Sequence, residues 1–142
     1  MGYNTDWNGC LKLSRSLKQQ ELNEWKTIVE NRHDSKYHYG DSKREFPSIW
    51  CGFEVEGREF RWDGGEKTYE GKQWIKFFLK KLIDWSRASG HLIYAEGDME
   101  WRGEEKDDMG RIVVEYLPFG VGYQMHIENV VFDYERESTL HI

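Results

Sequence analysis

The stretch from Gly71 to Gly90 constrains this chain most. Trp74, Ile75, Phe77, Phe78, Leu79, Leu82 and Trp85 fall on one side of a helix, and Lys72, Lys76 and Lys80 recur every fourth residue opposite them. So many large apolar groups on one side need a second layer to cover them. Lys81 falls inside the apolar arc, where its stem is expected to lie along the surface with the ammonium in water. Ser89-Gly90 ends the pattern, and Gly90 suits a left-handed cap.

The covering layer comes from segments of period two. Residues 7–14, WNGCLKLS, read as a first strand. Ser16-Leu17-Lys18-Gln19 has the form of a capping box, with Ser16 as N-cap and Gln19 reaching back. Leu17, Leu22, Trp25, Ile28 and Val29 then continue as an amphipathic helix to Glu30. Residues 31–48 hold no apolar period and predict a long, exposed loop. Ile49, Cys51, Phe53 and Val55 share one face, Glu56-Gly57 is a turn, and Phe60 and Trp62 return, so residues 49–62 read as a hairpin.

After the second helix, residues 91–101 predict a strand bulged at Gly97, residues 111–117 a strand, and residues 123–134 a last strand. The order is β-α-β-β-α-β-β-β. Short turns join most strands, so the expected fold is α+β: a single two-layer domain over residues 1–142, with a mostly antiparallel sheet and two helices on one face.

The 142 residues suffice for one core without staples. Aromatics reach 15%, including seven Trp, and core filling is their expected use. The net charge of −6 disfavours nucleic-acid backbones as partners. No segment is long and apolar enough to span a bilayer or resembles a signal peptide, so no membrane partner is expected and the cytoplasm is the expected compartment. Cys10 and Cys51 have no metal spacing and are expected as free, buried thiols. MGYNTD fails as a myristoylation signal because Asp6 stands where Ser or Thr is needed.

Three groups carry potential chemistry. Asp63-Gly64-Gly65-Glu66-Lys67 precedes a helix, as a phosphate loop would. It lacks the Walker spacing, and its two acids would oppose an anion, so a strand-to-helix turn is the favoured reading. Residues 96–108 hold Glu96, Asp98, Glu100, Glu104, Glu105, Asp107 and Asp108 against Arg102 and Lys106. In a strand Glu96, Asp98 and Glu100 alternate onto one face, which reads as a solvated face, a cation site or a docking surface for a basic partner. His33, Asp34, Tyr37, His38 and Tyr39 decorate the long loop without a catalytic spacing.

MGYNTDW, WCGF, RWDGGEKTYEGKQWIKFFL and GDMEWRGEEKDDMGRIVV together resemble a family of small uncharacterised proteins encoded by bacteriophages and prophages. The similarity covers most of the chain outside residues 31–48 and the segment from Glu115 onward. It implies a phage origin and a site of action in the cytoplasm of the infected bacterial host, and it supplies no catalytic residue.

If the matched segments meet on one rim of the sheet, they form an aromatic and polar ligand site. Tyr3, Asp6, Trp62, Asp63, Glu66, Lys67, Trp101, Arg102, Glu104, Glu105 and Asp108 are its candidate residues. The leading expectation is a non-enzymatic accessory protein with no cofactor and no resident metal. It would bind a host protein, or a nucleotide-like signal stacked on Trp62 or Trp101 and held by Lys67 and Arg102, so as to blunt host defence. The alternative is a metal-dependent hydrolase built on Asp63, Glu66, Glu104 and Asp108. A homodimer through sheet edges is compatible with either.

Overall fold

The computed structural model describes residues 4–33, 46–65, 68–117, 122–131 and 134–142, with the backbone alone at 129–131 and 134–141. The elements are β1 (Thr5–Leu13), α1 (Gln19–Glu30), β2 (Phe53–Glu56), β3 (Glu59–Trp62), α2 (Gly71–Ser89), β4 (Ala95–Gly103), β5 (Met109–Leu117), β6 (Gly122–Val131) and β7 (Tyr134–His141). All strands form one sheet in the order β2-β3-β1-β4-β5-β6-β7, antiparallel throughout. The fold is α+β with both helices packed on the sheet.

Strand alternation decides what each face carries. Trp7, Leu11 and Leu13 of β1, Ala95, Met99 and Trp101 of β4, Ile112 and Val114 of β5, and Tyr123, Met125 and Ile127 of β6 are buried on the helix side. Trp25 and Ile28 of α1 and the apolar side of α2 close the core over them. Phe78 stacks on Phe60 at 4.2 Å between ring centroids and meets Trp25 edge-on at 4.9 Å. Each such ring contributes about 1.5–3 kcal/mol through burial. Five of the seven Trp are buried, Trp62 is half-buried, and Trp50 is 55% exposed. Lys81 does lie along the helix layer, with its ammonium 2.7 Å from Glu24 Oε2 and 5.8 Å from the Phe77 ring.

Several expectations need correction. The cap of α1 is two residues later than the Ser16 box: the Lys18 N–H donates to Glu21 Oε1 at 2.8 Å. Glu21, at the third helical position, thereby satisfies the N-cap amide. The Lys18 register also brings Glu21 to Arg15, at 3.1 Å. Gly97 makes no bulge, because β4 pairs without interruption with β1 and β5. Cys10 is only half-buried, since Leu11 takes the inward position beside it. The final segment is two strands: Val131 pairs with Tyr134, and β7 runs back along β6. No Gly or Pro stands between these strands in the sequence.

Residues 34–45 of the long segment lie outside the described residues, Asp34, Tyr37, His38 and Tyr39 among them. His33 is buried, not exposed; it stacks on Phe46 at 3.8 Å, with Nε2 2.9 Å from the Ile28 carbonyl. Gly90 caps α2 in the left-handed region, φ 73°.

Candidate functional site

β3 and β4 both run antiparallel to β1, so Trp62 and Gly103 end their strands toward the same end of the sheet. Asp63 and Glu104 therefore leave the sheet at one end, as a shared rim requires. The rim is stepped, however. Arg61 pairs with Cys10, which sets Trp62 level with Gly9, whereas Gly103 reaches Thr5.

Each strand end has its own described contacts. On the β4–β5 side, the Asn4 N–H donates to Glu104 Oε1 at 3.1 Å, and the Gly103 N–H donates to the Asp108 carbonyl at 2.7 Å. The Trp101 indole donates to Asp108 Oδ1 at 3.0 Å, and the Lys72 ammonium sits 4.6 Å from the Trp101 ring centroid. Glu105 accepts the Asp108 N–H at its carbonyl, 3.0 Å, which closes the turn.

On the β3 side, the Trp62 indole donates to Thr68 Oγ1 at 2.8 Å. The Asp63 carboxylate accepts the Gly65 N–H at 2.8 Å, a local turn contact. Asp63 is thus held in the strand-to-helix turn, as the favoured reading of that segment expected. Tyr3, Glu66 and Lys67 lie outside the described residues.

Asp6 and Arg102 make none of these contacts. Each is adjacent to an inward Trp, Trp7 and Trp101, so each points to the opposite face. Asp6 and Arg102 therefore stand on the other face of the sheet from Trp62 and Trp101. The period-two pattern already implied this for Trp101 and Arg102. Among the described residues no group of three or more His, Cys, Asp or Glu is arranged to hold a metal ion, Asp63, Glu104 and Asp108 included.

The open face of the sheet has a groove of about 500 Å³ near the Asp6 end of β1. It gathers three candidate residues, Asp6, Trp101 and Arg102, with Asn8, Glu100, Arg111 and Glu128. Sequence reasoning missed Asn8, Arg111 and Glu128, although they alternate with buried Trp7, Ile112 and Ile127.

Charge on this face is unbalanced. Asp6, Glu54, Glu56, Glu59, Glu96, Asp98, Glu100, Glu115 and Glu128 stand at its strand positions against Lys12, Arg61, Arg102 and Arg111. Lys12 pairs with Glu59 at 2.6 Å, and Arg61 with Glu56 at 2.7 Å and Glu54 at 3.1 Å. Arg111 lies between Glu100 and Glu128 in register, but its Nη2 and Nε turn to Asp98 Oδ2, at 2.7 and 3.1 Å. Glu100 has no ion-pair partner among the described residues. Glu128 lies 3.3 Å from His126 Nε2. Glu96, Asp98 and Glu100 do share one face, as their spacing predicts.

No helix among the described residues is long and apolar enough to cross a membrane. Compared with protein-family models, with curated proteins and with solved structures, the chain matches none.

Proposed function

We propose that this protein is a non-enzymatic binding module that docks a basic segment of another protein on its open sheet face. The observation that carries this reading is the groove in which Glu100, beside Asp6 and Glu128, has no ion-pair partner among the described residues because Arg111 turns to Asp98. A lysine or arginine side chain entering the groove would supply that missing charge. Arg102 and Arg111 bound the site and disfavour an indiscriminate cation. The resemblance to phage-encoded proteins supports a host protein as the partner, and counter-defence as the purpose. Steering by such a face raises association rates and weakens with salt.

Titration with lysine-rich, neutral and acidic peptides of equal length tests the reading. The lysine-rich peptide should bind saturably, and its affinity should fall about tenfold or more as salt rises from about 50 to 300 mM. Glu100→Lys combined with Glu128→Lys should abolish binding without lowering Tm. Equal binding of the neutral peptide, or full affinity in the double variant, would rule the reading out.

A further inference from the structure

The first turn of α2 has an electrostatic character opposite to the usual one. Helix starts favour acids, because their unpaired N–H groups and the helix dipole are positive. α2 has no acid in its first turn and carries Lys72 there. No side chain caps it. Glu70, at the N-cap, is the only described non-glycine residue with positive φ, at 58°, and makes no side-chain capping bond. The first bond of the helix runs from the Trp74 N–H to the Glu70 carbonyl, at 2.9 Å, so the Lys72 and Gln73 N–H groups precede it.

A second, independent observation lies at the same place. Trp7 is 94% buried, and its indole Nε1 has no hydrogen-bond partner. The edge of the indole that carries this N–H abuts Gly71, the first residue of the helix. A Cβ on Gly71 would stand 2.3 Å from Trp7 Cζ2 and 3.1 Å from Nε1. A buried indole N–H normally finds an acceptor. Lys72 reaches back over the Trp101 ring, which is tilted against Trp7 at 5.7 Å.

We infer that the start of α2 is a binding site for a phosphate-bearing small molecule. Among the described residues the Lys72 and Gln73 N–H groups, the Trp7 indole N–H and the Lys72 ammonium have no anionic partner, and a phosphate group offers enough oxygens for them together. The phosphate element is therefore the helix start itself, downstream of Gly64-Gly65, and it lies on the helix side of the sheet.

Titrating the ¹⁵N-labelled full chain with inorganic phosphate and pyrophosphate tests this by NMR, with chloride and acetate as comparators. The Lys72 and Gln73 amides and the Trp7 indole N–H should shift together and saturably with the phosphates, and far less with acetate. Lys72→Gln and Trp7→Phe should each weaken binding about tenfold, the effect of losing one charge-assisted or buried donor. If Trp7→Phe lowers Tm, the Lys72→Gln variant, at a half-buried position, carries the comparison. Shifts that do not saturate, acetate binding as tight as phosphate, or wild-type affinity in Lys72→Gln would overturn the inference.

Discussion

Gly9 and Gly97 oppose each other diagonally across the β1–β4 ladder, and each presses its α-carbon against the other strand's backbone. A Cβ on Gly9 would meet the Asp98 carbonyl oxygen at 2.5 Å, and one on Gly97 would meet the Cys10 carbonyl oxygen at 2.5 Å. Both have positive φ, 85° and 148°. The obstructing atoms are backbone in the centre of the sheet, so they cannot swing aside. Gly9→Ala and Gly97→Ala should each destabilise the fold by about 2–4 kcal/mol, through strain and overpacking together. Urea unfolding measures this. A loss under about 0.5 kcal/mol in either variant would mean the ladder opens easily at that point.

Ser48 should matter more than its size suggests. Its buried hydroxyl accepts the Trp74 indole N–H at 2.7 Å and lies 3.0 Å from the Trp50 carbonyl, to which it donates. Ser48→Ala would orphan a buried indole and should cost about 1–3 kcal/mol. Trp74→Phe in that background removes the orphan, so the two losses should be less than additive. Strict additivity in a double-mutant cycle would show that the bond contributes nothing.

The acid limb of stability should carry a signature of Glu21. Burial pushes its carboxyl up, but the Arg15 guanidinium and the Lys18 N–H more than offset this and hold it below the usual carboxylate range. The unfolded chain then binds the proton more readily. The contribution is present above the unfolded value of about 4.3 and is lost as pH falls through the lower folded value. Glu21→Gln should flatten that decline and cost about 1–3 kcal/mol near neutrality. An unchanged slope below about pH 5 would refute it.

The two thiols should behave differently. Burial pushes Cys51 up to about 12, while Cys10 is raised less, first by burial and then by the Glu59 carboxylate. Iodoacetamide at about pH 8 should label Cys10 slowly in the folded protein and Cys51 only after unfolding. Because the Cys51 value is raised on folding, its contribution is complete below the unfolded value of about 8.5 and is lost as pH rises toward 12. Cys51→Ala should remove that alkaline loss. Rapid native labelling of Cys51 would contradict its burial.

The phosphate site illustrates what spacing leaves out. A search for a glycine-rich loop draws the eye to Gly64-Gly65, where Asp63 merely bonds the Gly65 amide. The orphan donors lie elsewhere, and one of them, Trp7, comes from a strand more than sixty residues earlier in the chain.

Local periodicity by itself determined the two helices, the hairpin around Gly57, the antiparallel α+β class and the polar run of Glu96, Asp98 and Glu100. Each follows from contacts within a few residues, where side-chain direction is dictated by helix or strand geometry. Only the tertiary structure decided the rest. It set β1 in the middle of the sheet, between β3 and β4, because the β2–β3 hairpin docks on one side of β1 and β4 on the other. That placement brings Trp7 to the start of α2 and sets Asn8 beside Glu100. It also sets Trp62 level with Gly9 while Gly103 reaches Thr5, which steps the expected rim. Such pairings are set by which distant backbone completes a ladder and which distant ring fills a space, and neither is encoded in the spacing of residues along one segment.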